Sequence, residues 1–279
     1  VEFWQNIYSN FNPIAFQIFS IKVHWYGIMY VMALVSAYSF AQWIAKKDNL
    51  PISNEEIDDY FIWVEIGVIL GARLGYVLFY SDHKDYYFTH PWQIFNPFSN
   101  GEFVGISGMS YHGALIGFLI SSYLFAKRRN ISLWFLLDLV AISVPVGYIF
   151  GRIGNFLNQE LVGRVTDVPW GIYVYDTLRH PSQLYEALLE GVVVFLFLFW
   201  YRKRTRFMGE LAMFYGIAYG VSRFTAEFWR APDIQLGFIA WGWLTMGQLL
   251  SSMMVLVGVI GILYLQKDKK LASEKRYWN

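Results

Sequence analysis

Two short stretches concentrate the groups in this chain that could do chemistry. The first is GRIGNFLNQELVGR, residues 151–164, which follows directly on the apolar run WFLLDLVAISVPVGYIF. It holds two arginines, two asparagines, a glutamine and a glutamate. Arg152 and Asn155 are three residues apart, so on a helix they share a face. Gly151 and Gly154 leave room for close backbone approach. Asn158, Glu160 and Arg164 follow where glycine and asparagine are too dense for ordinary helix. The second stretch is AYGVSRFTAEFWRAPD. Here Tyr219, Arg223 and Glu227 recur every four residues and form one polar stripe on a helix. An arginine held by one carboxylate keeps further N–H donors for an anion. An Arg223–Glu227 pair is therefore compatible with an internal lock and with an anion site. For the first stretch, the plainer reading is a helix end capped by glycine with Arg152 snorkelling to an interface. The density of amides and charges favours a site.

Further candidates lie elsewhere. SGMSYHGALIG puts His112 at the start of an apolar segment, and KVHWYGIMY brings His24, Trp25 and Tyr26 to the start of another. A lone histidine there is more often structural, and Trp25 and Tyr26 also suit an interfacial aromatic belt. RHPSQLYEALLEG supplies His180, Gln183, Tyr185 and Glu186. Glu65, Arg73 and Asp138, inside apolar runs, read as internal ties. An ionisable group at bilayer depth costs roughly 2.5–3.5 kcal/mol and so faces the protein interior. Two arginines, an amide cluster, a histidine and a tyrosine fit a phosphate-bearing lipid headgroup met from inside a bilayer. Arginine forks bind phosphate, and histidine takes a proton near neutral pH.

The elements that must position these groups follow from composition. The 279-residue chain is 56% hydrophobic and 20% aromatic but only 15% charged, against about 25% charged for a soluble domain. Much of its surface must therefore face something other than water. Seven apolar segments approach the roughly 17–25 residues needed to span, at 24–44, 59–80, 111–126, 133–151, 183–201, 208–228 and 242–265. The third is short and is expected to begin a little before Tyr111. Alternate connections carry 14 basic residues, among them Lys46, Lys47, Lys127, Arg128 and Arg129, against six on the others. The positive-inside rule then sets the N-terminus outside and the C-terminus in the cytoplasm. The expected fold is all-α: a polytopic membrane protein of seven transmembrane helices, one domain over residues 1–279. An outer arm at 82–110 and an outer head at 152–182 belong to that domain. The opening residues show no basic n-region or cleavage site, so no removable signal peptide is expected. There is no Cys, which excludes disulfides, thiolate metal sites and a cysteine nucleophile. The five histidines are scattered, so no metal is expected, and a net charge of +1 points to no nucleic-acid partner.

GRIGNFLNQELVGR resembles the signature G-R-x-G-N-F-x-N-x-E-x-x-G of bacterial phosphatidylglycerol–prolipoprotein diacylglyceryl transferases. HWYGIMY, SGMSYHGALIG, HPSQLYEALLEG and RFTAEFWRAPD resemble further blocks of that family in its order, and the resemblance covers nearly the whole chain. Ala114 stands where the family more often reads H-G-G, a difference of one methyl group. The resemblance implies transfer of the diacylglyceryl group of phosphatidylglycerol to the lipobox cysteine thiol of a prolipoprotein signal peptide. A thioether forms and glycerol phosphate leaves. It implies no cofactor, a place in the bacterial cytoplasmic (inner) membrane, and an active site toward the outer face. Carried over by motif match, Tyr26, His112, Arg152, Asn155, Glu160, Gly163, Tyr219, Arg223 and Glu227 fall on positions of importance. His112, Arg152, Arg223, Tyr26 and Tyr219 would be catalytic. Arg152, Asn155, Glu160, Gly163, Arg223 and Glu227 would bind substrate. A thiol with a pKa near 8.5 reacts only as thiolate, and His112 is the first candidate base. Two readings from other classes stand beside this one. A lipid or anion transporter could use the same arginines without chemistry, although no internal repeat is present. An intramembrane serine protease rests only on the four residues GISG at 105–108.

Overall fold

The computed structural model describes residues 2–19, 21–99, 102–103, 105, 108–232, 237–267 and 278. Among them, seven long helices follow one another: α1 Trp25–Lys47, α2 Asn54–Phe79, α3 Tyr111–Arg129, α4 Leu133–Leu157, α5 Ser182–Arg204, α6 Glu210–Ala226 and α7 Met246–Leu265. Each coincides with one of the apolar segments. Five of them, α1, α2, α4, α5 and α7, are long and apolar enough to cross a bilayer. α6 has only 17 residues, and the 19 residues of α3 are diluted by glycine, serine and tyrosine. The protein is thus a mostly helical membrane protein whose long helices leave many leucines and isoleucines exposed, such as Ile66, Leu119 and Leu256. Lys46 and Lys47 close α1, Lys127, Arg128 and Arg129 close α3, and Arg202, Lys203 and Arg204 close α5, where cations complement the helix dipole.

Local chemistry sets the helix starts. Ser53 and Glu56 form a capping box on α2, and Thr245 and Gln248 form another on α7. Ser110 accepts the Gly113 N–H at 3.1 Å. That cap starts α3 at Tyr111 and no earlier, and the helix gains its length at the other end instead. α4 runs six residues past its apolar segment, to Leu157. At Gly154 the intrinsic helix cost of glycine is offset by close packing, since an added Cβ would lie 3.0 Å from Met29 of α1, whereas a Cβ on Gly151 would meet nothing within 4 Å.

The chain divides into two compact units, residues 52–136 and residues 1–51 with 137–279. In the first of these, α2 and α3 pair through small residues. Gly67, Gly71 and Gly75 meet Gly113, Gly117 and Ser121, and a Cβ on Gly71 would collide with the Gly113 carbonyl. Such small-xxx-small seams let helix backbones approach closely in lipid. The buried Tyr60 and Ser122 hydroxyls bond at 2.8 Å across the same pair. Arg73 of α2 donates to the carbonyls of Ile94 and of Gly108 and to the Tyr87 hydroxyl, so it ties the arm to α2, an internal role as expected. β3 Phe98–Ser99 and β4 Glu102–Phe103 pair antiparallel in that arm. Ile106 and Ser107 of the GISG stretch lie outside the described residues.

In the other unit, α4 is central. Buried Asp138 accepts the backbone N–H groups of Gly209 at 2.7 Å and Ala212 at 2.8 Å, and so caps α6 while satisfying its own carboxylate. Gly209 takes φ +87° there, a conformation that favours glycine. Arg202 pairs with buried Asp48 at 2.7 Å. The middle of α5, Ala187–Val193, widens into a π-helix, and a Cβ on Gly191 would run into Ile149 of α4. The head is built on Tyr8, Phe156 and Ile172, with Trp4, Leu157 and Val174 packed against them. β5 Ile172–Val174 and β6 Thr177–Arg179 form its hairpin, and β1 Ile14–Ile18 pairs with β2 Ile21–His24 ahead of α1.

Candidate functional site

Where α4 ends, its polar residues join into one chain of hydrogen bonds. Arg152 Nε donates to the Tyr148 hydroxyl at 2.6 Å, and Nη1 donates to Asn155 Oδ1 at 3.1 Å. Asn155 Nδ2 donates to Glu160 Oε1 at 2.7 Å, and Asn158 Nδ2 donates to Glu160 Oε2 at 3.1 Å. The helical i, i+3 spacing gives the first link. The turn after Leu157 gives the others, with Gln159 and Leu161 both at positive φ. Gln183 fixes that turn by donating to the Glu160 carbonyl and, at 3.3 Å, to the Tyr8 hydroxyl.

α5 and α6 bring the opposing charges. Glu186 and Glu190 on α5 have no exposed surface. Glu186 Oε2 lies 3.0 Å from Arg152 Nε and 3.3 Å from Arg223 Nη1, and its Oε1 lies 3.2 Å from Arg230 Nη1. Glu190 accepts from the Tyr148 hydroxyl and lies 3.6 Å from Arg223 Nη1. Arg223 Nη2 donates to Glu227, the i, i+4 pair legible in the sequence. Glu227 also accepts from the Thr245 hydroxyl at 2.7 Å. Its carboxylate lies so close to Gly247 that a Cβ there would stand 2.6 Å from the carboxyl carbon. The start of α7 thus offers this carboxylate the positive end of its dipole. Tyr219 stacks edge-on against Tyr148 at 5.7 Å, and the Arg152 guanidinium lies 4.8 Å from the centre of the Tyr148 ring. A small cleft opens beside these groups, lined by Arg223, Glu227, Arg230, Thr245 and Gly247.

Six of the residues singled out from sequence therefore meet in one network: Arg152, Asn155, Glu160, Tyr219, Arg223 and Glu227. Tyr26, in the first turn of α1, lies against Gly154, whose added Cβ would be 3.4 Å from its ring. Gly163 forms an antiparallel bridge with Arg230 and donates its N–H to the His180 carbonyl at 3.1 Å. It fixes the backbone that carries Arg230, and a side chain there would strike His180. Arg164 donates to the Arg230 and Glu227 carbonyls. His112 belongs to the 52–136 unit, exposed in the first turn of α3, where its Nδ1 is 3.4 Å from the Tyr80 hydroxyl. Partial burial lowers the pKa of His180 in the head, opposed by the negative charge of Asp167.

Sequence reasoning missed Tyr148, Glu190, Arg230 and Thr245, and left Glu186 as an unassigned polar group. A signal was present for three of them. Tyr148 precedes Arg152 by one helical turn, and Glu186 and Glu190 are one turn apart inside an apolar helix, where burial of a carboxylate demands a partner. Nothing local marks Thr245.

The family model described as prolipoprotein diacylglyceryl transferase matches residues 13–264. The chain is similar to the phosphatidylglycerol–prolipoprotein diacylglyceryl transferase of Aliarcobacter butzleri, 62% identical over 94% of this chain and 96% of that one. It is likewise similar to the protein of that name from Campylobacter lari, 62% identical over 97% and 99% of the two chains. The protein of that name from Wolinella succinogenes is 61% identical over 96% and 98%.

Proposed function

Since this chain belongs to the prolipoprotein diacylglyceryl transferase family, we propose an account of how its residues carry out the family's transfer. The protein is a transferase that moves the diacylglyceryl group of phosphatidylglycerol to prolipoproteins, the first step of lipoprotein maturation. In our reading the acceptor is the thiol of the lipobox cysteine in the signal peptide. The sulfur attacks the glyceryl carbon, the carbon–oxygen bond to phosphate breaks, and a thioether and glycerol phosphate result. The thiol proton passes to a base, and the phosphate gains a second negative charge as it leaves.

Arg152 and Arg223 hold the phosphate and stabilise the charge that develops on it. The observation that carries this reading is the convergence of both guanidiniums on one carboxylate, Glu186, from separate helices. Glu227 orients Arg223, while Asn155, held by Glu160, orients Arg152 and the headgroup. Tyr26 and Tyr219 border the reacting centre, and Gly163 fixes the strand beside it. His112 takes the thiol proton. The seven helices form one membrane domain, residues 1–279, with the N-terminus outside, the C-terminus in the cytoplasm and the site toward the outer face of the inner membrane. The arm and the head lie on that outer side. The 14-to-6 split of basic residues supports this orientation.

The test is release of glycerol phosphate from phosphatidylglycerol by the purified protein. Release should require a cysteine-containing lipobox peptide and be abolished when serine replaces that cysteine. Thiol-independent release, or none, would refute the proposed chemistry.

A further inference from the structure

Glu186 is the one carboxylate among the described residues within ion-pair distance of three arginines. They come from three places, the end of α4, the last turn of α6 and the segment after α6. Such a buried hub could serve packing alone, but two details go further. The guanidiniums are neutralised without being used up. Arg152 spends Nε on Tyr148 and Nη1 on Asn155, which leaves Nη2 without a hydrogen-bond partner among the described residues. Arg223 Nη1 and Glu190 Oε1, 3.6 Å apart, both lack a hydrogen-bond partner among the described residues. Moreover, Glu190 sits on the π-helical stretch of α5 and Glu186 directly precedes it, a departure from regular helix that is frequent at functional sites.

Charge explains what this arrangement achieves, on the reading above that Arg152 and Arg223 hold the phosphate. The substrate phosphodiester carries one negative charge, and the leaving glycerol phosphate approaches two at neutral pH. Unopposed arginines in a poorly hydrated site would favour the product over the substrate, because Coulomb attraction scales with ligand charge. Carboxylates behind the arginines reduce that preference.

We infer that Glu186, supported by Glu190, is a positioning residue that holds Arg152 and Arg223 together and offsets their charge, so that the lipid phosphate is gripped and glycerol phosphate is released.

The test uses the full-length protein in detergent micelles, phosphatidylglycerol, a cysteine-containing lipobox peptide, and glycerol phosphate as inhibitor. Glu186→Gln removes the charge with little change of shape. It should lower KM for phosphatidylglycerol roughly threefold and the inhibition constant of glycerol phosphate roughly tenfold, since the effect on a dianion is the square of that on a monoanion. It should also lower kcat, because release becomes limiting. Glu186→Asp keeps the charge and loses reach, so kcat should fall while the inhibition constant stays within about twofold. An unchanged or weakened inhibition constant in Glu186→Gln overturns the inference. Should that protein fail to elute as a monodisperse species, Glu190→Gln carries the same test, with an expected drop of roughly threefold, and no drop overturns it equally. Arg152→Lys and Arg223→Lys separate the two levels of argument. If both bind glycerol phosphate as the unmodified protein does, the phosphate-holding reading itself fails. If they weaken binding while Glu186→Gln leaves it unchanged, only the present inference falls.

Discussion

Replacing Arg223 by lysine tests the phosphate-holding pair at its most constrained point. The guanidinium donates through Nη2 to Glu227 and places Nη1 3.3 Å from Glu186 and 3.6 Å from Glu190. A lysine keeps the charge, but one ammonium cannot span three carboxylates and still present a planar fork to phosphate. A charge-assisted hydrogen bond contributes about 1.5–3 kcal/mol. At about 1.4 kcal/mol per tenfold in rate, losing one should slow turnover about ten- to a hundredfold. Arg223→Ala should cost more, because among the described residues it leaves Glu190 with no ion pair and Glu227 with only the more distant Arg230, 3.8 Å away. Breaking a buried pair costs about 3–5 kcal/mol, so part of that loss should appear as instability. The assay is specific activity per folded molecule, with monodisperse elution as the criterion of folding and phosphatidylglycerol binding measured in parallel. Were the role only structural, the folded fraction of the lysine variant would work normally. A well-folded Arg223→Lys protein with normal turnover and normal lipid binding would refute the reasoning.

Further predictions address other parts of the molecule. A reporter fused after Asn279 should be active in the cytoplasm and one inserted near Asp167 should report the outer side; the reverse pattern would overturn the orientation. His112→Gln should lower the chemical rate with little change in lipid affinity, and full turnover in that variant would remove His112 from the mechanism. Gly71→Leu should lower the thermal midpoint in detergent by overpacking the α2–α3 seam, a cost of about 1–3 kcal/mol or more, whereas Gly27→Ala, with nothing within 4 Å of the added Cβ, should not lower it. His180 has a lowered pKa in the folded protein, so below about pH 6.5 the unfolded chain gains its proton first. Stability should be unaffected by this group above that pH and should fall as pH drops through it. Hydrogen exchange in the β5–β6 hairpin measured against pH should show the drop, and His180→Gln should reduce it.

Local patterns carried much of this structure. The apolar segments became long helices because span length and hydrophobicity are properties of contiguous sequence. The Arg152–Asn155 and Arg223–Glu227 bonds were legible because a helix makes neighbours of residues three and four apart. The polar turn at 158–164 was legible because glycine and asparagine disfavour helix. Other features depended on how separate helices rotate and slide against each other. The seam of Gly67, Gly71 and Gly75 against Gly113, Gly117 and Ser121 exists only once α2 and α3 are in register. The seating of Glu227 against Thr245 and Gly247 requires α7 to start beside the end of α6. Glu186 illustrates the point best. Its spacing from Glu190 is written in the chain, but its three arginine partners lie 34, 37 and 44 residues away. Which charges compensate which is set by the depth and facing of each helix, because a buried carboxylate is stable only where packing delivers cations to it.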